Sequence, residues 1–301
     1  MKSDISIRQI FTVASFNFRG WHKNPRAIMV FVLAFVLCTL LTDKAISFAH
    51  DYGTNMQIME AFIWTFGDAN SIMISSLLLI LLFADMPFFS GFTPYYLVRT
   101  KRNIWLWGQV LYVALATLIY MVFILAVTMA ISMHISFIGN MWSETGAILA
   151  FSGFGAEIML PTSLKAMILS YPYQCALHVF LLMVGYTLFL ASVMLMLNIR
   201  LGRFWGVMGA FLLSIYGLLL NPEIFMQIFR LPDAVAYRAN VAVGWLSPLN
   251  HATFHMHNFG YDFLPRLWMS YAIFTVMTAI CLFMARRGME KYSFAFTGTD
   301  I

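Results

Sequence analysis

"FADMPFFSGFTPYYLVRTKRNIWLWGQ", residues 83–109, leaves an apolar run, crosses a knot of Pro and Gly, passes through the basic group Arg99, Lys101 and Arg102, and re-enters an apolar run. Lipid hydrocarbon tolerates neither such charges nor irregular backbone, so a break of this kind marks a turn outside the bilayer between two crossing helices. One span is therefore expected to end near Asp85, with the next starting near Ile104.

The rest of the chain agrees with a membrane setting. Of 301 residues, 61% are hydrophobic and only 10% charged, whereas a soluble domain carries about 25% charged residues. The formal net charge of +5 sits in short clusters at the ends of apolar segments rather than along one helix face, which argues against nucleic acid as a partner. Cys38, Cys175 and Cys281 fall in or beside apolar runs without a CxxC pair, so they read as small apolar filler. The first twenty-odd residues are polar and amphipathic, and no cleavable secretory signal is expected there.

A hydrocarbon core needs about 20 apolar residues. Six stretches approach that length, near 27–42, 69–86, 104–133, 173–198, 204–220 and 267–285, and the first and fifth are expected to run a turn into their flanks. The weaker stretch 142–160, with Glu144, Glu157 and three glycines, reads as an external or re-entrant element. If the amino terminus is inside, Lys2, Arg8, Arg19, Lys23, Arg26, Arg99, Lys101, Arg102, Arg200, Arg203, Arg286, Arg287 and Lys291 share that side. Only Lys44, Lys165, Arg230, Arg238 and Arg266 lie opposite. The excess of Lys and Arg predicts both termini in the cytoplasm. The expected fold is thus an all-α polytopic membrane protein, one domain over 1–301.

Before the first span, Ile7, Ile10, Phe11, Ala14 and Phe18 recur at helical spacing opposite Arg8, Thr12, Ser15 and Arg19. This pattern predicts an interfacial amphipathic helix over 5–20, in contact with membrane lipid. Gly20 can end it, and Asn24 with Pro25 supplies an N-cap and a first position for the next helix. In 87–103, Thr93 can cap a short helix beginning at Pro94, with Tyr95, Tyr96 and Leu97 near the surface and Arg99, Lys101 and Arg102 at the end that favours cations.

Catalytic constellations are hard to find. The chain has no GxxxxGK[ST] nucleotide loop, no HExxH and no paired intramembrane aspartates. Ser152 beside Gly153 is a weak nucleophile signal. Asp85 suits a boundary residue pairing with Arg99 or Arg102, and His178 a hydrogen-bonded interior histidine. In the external segment 221–265, His251 and His255 are four apart, a spacing that suits metal, with His257 and Asp262 nearby; without Cys or Glu to complete the set, loop packing is the better reading. Ser75, Ser76, Tyr120, Thr128 and Tyr186 read as helix-packing groups within the spans.

The amphipathic leading helix, six spans with both termini inside, the short basic segment after the second span and the irregular segment before the last resemble the membrane subunit of an ABC-2-type transporter. The flavour of "FADMPFF...LVRTKRNIWLWGQ" adds to that likeness. The resemblance implies that Pro94, Tyr95, Tyr96, Leu97, Arg99, Lys101 and Arg102 form a coupling helix docking on a separate ATP-binding cassette subunit. It also implies that ATP and Mg are held by that subunit and no cofactor by this chain, and that a second permease copy or a sister permease completes the pair. Segment 221–265 would match the family's re-entrant helices, whereas the long segment 134–172 departs from the pattern. The setting implied is a bacterial cytoplasmic membrane and the activity export of a peptide, lipid-like molecule or drug. Two other readings stand beside it: a non-transporting immunity or ligand-sensing protein, and a small membrane enzyme using the external histidines and acids.

Overall fold

A computed structural model describes residues 7–88, 100–158, 160, 162–220, 222–230, 232, 236–260 and 262–292. Four helices among them are long and apolar enough to cross a membrane: α2 (Pro25–Asp51), α5 (Arg102–Ser132), α9 (Pro172–Leu201) and α14 (Leu267–Lys291). Two bent pairs raise the number of candidate crossings to as many as six. Helix α3 (Glu60–Phe66) meets α4 (Ala69–Leu82) at 87°, and α10 (Arg203–Leu219) meets α11 (Pro222–Phe229) at 82°. The chain is an all-α membrane-embedded protein. Preceding these is α1 (Ile7–Arg19); between and after them lie the short helices α6 (Glu144–Phe151), α7 (Phe154–Glu157), α8 (Leu164–Leu169), α12 (Ala236–Leu246) and α13 (Pro248–Ala252). The strands β1 (Met56–Gln57) and β2 (Ser136–Phe137) pair in parallel.

Local chemistry sets most boundaries. Asn24 caps α2 by accepting from the Arg26 amide, with Pro25 at the first position, and Asp68 caps α4 through the Asn70 amide. Helix α2 outruns its expected end: no Gly or Pro intervenes before Gly53, so it carries Asp43, Lys44, His50 and Asp51 as helical residues. Helix α4 falls short instead. Its 14 residues span about 21 Å, less than the roughly 30 Å hydrocarbon thickness, and Gly67 and Asp68 turn the chain sharply into α3. Gly202, at φ 107°, takes a left-handed conformation open to glycine and separates α9 from α10.

Helix α9 is central, packing against α14, α10, α5, α4 and α3. Polar groups inside the spans tie helices together, as expected. Ser76 and Thr187 hydroxyls lie 2.9 Å apart, Tyr120 donates to the Ser75 carbonyl at 3.1 Å, and Tyr186 donates to Ser214 at 3.4 Å. Away from these contacts, α2 turns Ile28, Val32 and Leu40 outward, each more than half exposed, a surface that suits lipid rather than water. Within 142–160 the described helices α6 and α7, with 8 and 4 residues, are each too short to cross a bilayer. The three cysteines are buried and free.

Candidate functional site

The arginine-bearing end of the bundle gathers α1, the start of α2, the end of α4, the start of α5 and the ends of α9 and α14. The chain leaving α4 is pinned there before it reaches residue 89. Asp85 pairs with Arg26 at the start of α2; of the expected partners, Arg102 is engaged at the end of α14 instead, and Arg99 lies outside the described residues. One residue on, the buried Asn198 of α9 donates its amide to the Met86 carbonyl oxygen at 2.7 Å, with Phe83 and Met86 fully buried.

The far side of the segment is pinned as well. Lys101 is the N-cap of α5 and Arg102 its first residue. A cation is unfavourable at a helix N-terminus, where the dipole is positive. Arg102 offsets this by reaching the carbonyl end of α14, donating to the oxygens of Glu290 at 3.2 Å, Tyr292 at 3.3 Å and Met289 at 3.5 Å. The carbonyls of a last helical turn have few partners of their own, and the Met289 oxygen also accepts from the Tyr292 amide at 3.3 Å. Pro94, Tyr95, Tyr96, Leu97 and Arg99 lie outside the described residues.

Helix α1 completes this end by docking on α5. Its expected apolar face divides: Ala14 is buried, while Ile7 and Phe11 are 68% and 53% exposed. Val13, on neither expected face, is buried because it lies over Gly108, where an added Cβ would come within 2.6 Å of the Val13 side chain. Asn17 donates to Gln109 at 3.1 Å, Trp21 donates to the Tyr112 hydroxyl at 2.8 Å, and Phe18 packs on the Tyr112 ring at 4.8 Å. The helix is therefore a docked brace as well as an amphipathic surface element. The chain is thus tied to α2 and α9 at Asp85 and Met86 and to α14 at Arg102, with α1 packed on α5.

The opposite end holds the histidines in an arrangement that spacing did not suggest. His251 and His255 do not converge. Instead, His251 Nδ1 and His257 Nε2 each lie 2.8 Å from the Ser270 Oγ, four residues into α14. Their other nitrogens face the carbonyls of Trp245 and Phe254 at 3.0 Å and so carry the hydrogens, an assignment made from these partners. The serine proton serves one imidazole, leaving the other lone pair facing the hydroxyl oxygen. All three side chains are at most 3% exposed, so the knot fastens α13 to α14 and presents no open nucleophile. Burial pushes the His257 imidazole down to about 4, and burial lowers His251 and His255 too. Among the described residues, no group of three or more His, Cys, Asp or Glu side chains is placed to hold a metal ion. His178 accepts or donates at 2.9 Å with the Tyr271 hydroxyl and stacks on Phe254.

Sequence reasoning also passed over Glu60, the lone acid in "MEAFIWTF". It is fully buried, with Ser143 donating from its amide at 2.7 Å and from its hydroxyl, and the Gln57 amide more distantly at 3.4 Å. Glu60 thereby ties α3 to the cap of α6. Elsewhere, Lys165 pairs with Asp262. No known protein family, characterised protein or solved structure matches the chain.

Proposed function

We propose that this chain is the membrane-spanning subunit of an ATP-driven exporter of the ABC-2 type, moving a peptide, lipid-like molecule or drug. The six crossings then comprise α2, α4 extended by α3, α5, α9, α10 extended by α11, and α14, with both termini and the arginine-bearing end in the cytoplasm, as the distribution of Lys and Arg favours. The observation that carries the reading is that the chain is tied to three helices on either side of 89–99: Arg26–Asp85 on α2, Asn198–Met86 on α9 and Arg102 on α14. Flanks fixed to three separate helices suit a connection that transmits motion from outside the bilayer into the bundle.

The chain carries no nucleotide loop of the GxxxxGK[ST] kind, so the energy source on this reading is a separate ATP-binding cassette subunit holding ATP and Mg. Pro94, Tyr95, Tyr96, Leu97 and Arg99 would meet that subunit, and Lys101 and Arg102 would relay its movement to α5 and α14. Two membrane chains, identical or related, would face one ATP-binding dimer and alternate their access between the two sides. Reconstitution of the affinity-purified complex in vesicles tests the reading. ATP hydrolysis that requires this chain supports it; a purified chain that associates with no ATP-hydrolysing protein removes it.

A further inference from the structure

Two cavities follow one another along α9 and α14. One, of about 570 Å³, opens at the arginine-bearing end and is lined by Ile199, Arg200, Arg287, Gly288, Glu290 and Tyr292. The other, of about 90 Å³, is an apolar groove among α5, α9 and α14, bounded by Val110, Leu188, Ala191, Leu195, Thr278 and Leu282. On α9 the groove residues 188, 191 and 195 and the cleft residue 199 recur at helical spacing, so groove and cleft share one stripe of that helix, while on α14 the cleft residues 287, 288 and 290 follow the groove residues 278 and 282 toward the carbonyl end. From Leu195 to Ile199 the separation along the axis is about 6 Å.

The chemistry changes along that stripe. Arg200 spends its Nε hydrogen on the Met284 carbonyl at 3.3 Å, and the Arg287 guanidinium lies 4.6 Å from the Phe283 ring centre. Neither has a carboxylate within 4.0 Å among the described residues. Guanidinium forks match phosphate oxygens well, and Glu290 adds a carboxylate to the same cleft. Phe283, beside Arg287, and Leu201, Phe204 and Trp205, which follow Arg200 in the chain, are each more than half exposed. Aromatic residues favour the depth where headgroups meet acyl chains.

We infer that cleft and groove form one phospholipid site in the leaflet at the arginine-bearing end. The phosphate rests on Arg200 and Arg287, a headgroup amine lies beside Glu290, and one acyl chain runs into the groove. Basic pockets between membrane helices commonly serve headgroups in this way. The inference needs only that the long helices cross a membrane, and it stands or falls separately from transport.

The test is thermal unfolding of the delipidated full chain in mild detergent, titrated with dioctanoyl phosphatidylethanolamine, inorganic phosphate or dioctanoylglycerol. The phospholipid is expected to raise Tm in a saturable way, with little response to either half-molecule. Arg200→Gln with Arg287→Gln should raise the half-saturating concentration at least about tenfold, a loss of about 1.4 kcal/mol. Thr278→Phe, which narrows the groove and leaves both arginines in place, should do the same and serves if the double variant does not fold. An equal response to phosphate alone would reveal a soluble-anion site, and an equal response to dioctanoylglycerol would reveal unspecific chain binding. Either result, or unchanged titrations in the variants, overturns the proposal.

Discussion

The Arg102 guanidinium, on the first residue of α5, closes on the carbonyl end of α14 through the Glu290 oxygen at 3.2 Å. The contact joins residues 188 positions apart and makes the exit from the basic segment a fixed point of the bundle. Hydrogen bonds involving a charged group contribute about 1.5–3 kcal/mol when buried, and the exposure of this residue moves the expectation to the low end. Arg102→Ala should therefore lower Tm in detergent by a few degrees and speed proteolysis after residue 290. Arg102→Lys should recover only part of the loss, because a point charge cannot reach the same set of carbonyls. Limited proteolysis with mass analysis of the fragments reads both.

Gly108 is expected to accept no side chain while Val13 lies over it. Gly108→Leu should displace α1 from α5 and cost about 1–3 kcal/mol through overpacking. Gly108→Ala should cost less and be partly rescued by Val13→Ala, which removes one of the two Val13 atoms lying 2.6 Å from the added Cβ. Tm and the reactivity of a cysteine placed at position 17 would report the displacement.

Stability should fall as the pH is lowered. His257 is held near 4, below its ordinary value of 6.5, so between those values the unfolded chain binds a proton that the folded chain refuses. The histidine therefore favours folding fully above pH 6.5 and progressively less as pH drops toward 4, with a slope of up to about 1.4 kcal/mol per pH unit for one proton. The lowered His251 and His255 act in the same direction. The difference between the wild type and His257→Gln isolates this histidine from the other titrating groups. Tm measured from pH 7 to pH 4.5 should drop less in the variant.

Glu60→Gln should destabilise the protein despite its similar shape. The carboxylate accepts from donors at Ser143 and Gln57; an amide offers one acceptor oxygen and turns its own NH2 toward a donor. The unsatisfied contact is expected to cost about 1–3 kcal/mol, roughly 2–4 °C per kcal/mol in a chain of 150–250 residues and less in a longer one. Ser143→Ala should lose less, because the Ser143 amide remains.

How much of this was legible beforehand depended on the range of the signal. Apolar run length located the long helices, and Asn24–Pro25 located the start of α2 from two adjacent residues. Boundaries failed where the signal was an absence: nothing between Asp43 and Asp51 breaks a helix, yet its charges suggested an exit from the bilayer. Pairings were illegible for a different reason. Asp85 had basic candidates close in sequence, but the fold brought Arg26 from 59 positions away. The meeting of His251, His257 and Ser270 depends on how α13 packs on α14, and helical spacing within one segment pointed to the wrong pair. Gly108 offered the one missed local hint, a glycine between Trp107 and Gln109 in an otherwise bulky helix.

The central claim is that residues 89–99 take up the work of an ATP-hydrolysing partner. The most direct measurement is nucleotide-dependent ATP turnover in material purified through this chain from its native host, with the co-purifying proteins identified by mass spectrometry. It is then repeated for the Tyr95→Ala, Tyr96→Ala, Arg99→Ala triple variant inserted in the membrane at the wild-type level. The account predicts a stoichiometric ATP-binding subunit and turnover with the wild type, both lost in the triple variant. A wild-type preparation without such a subunit, or one retained in full by the variant, would contradict it.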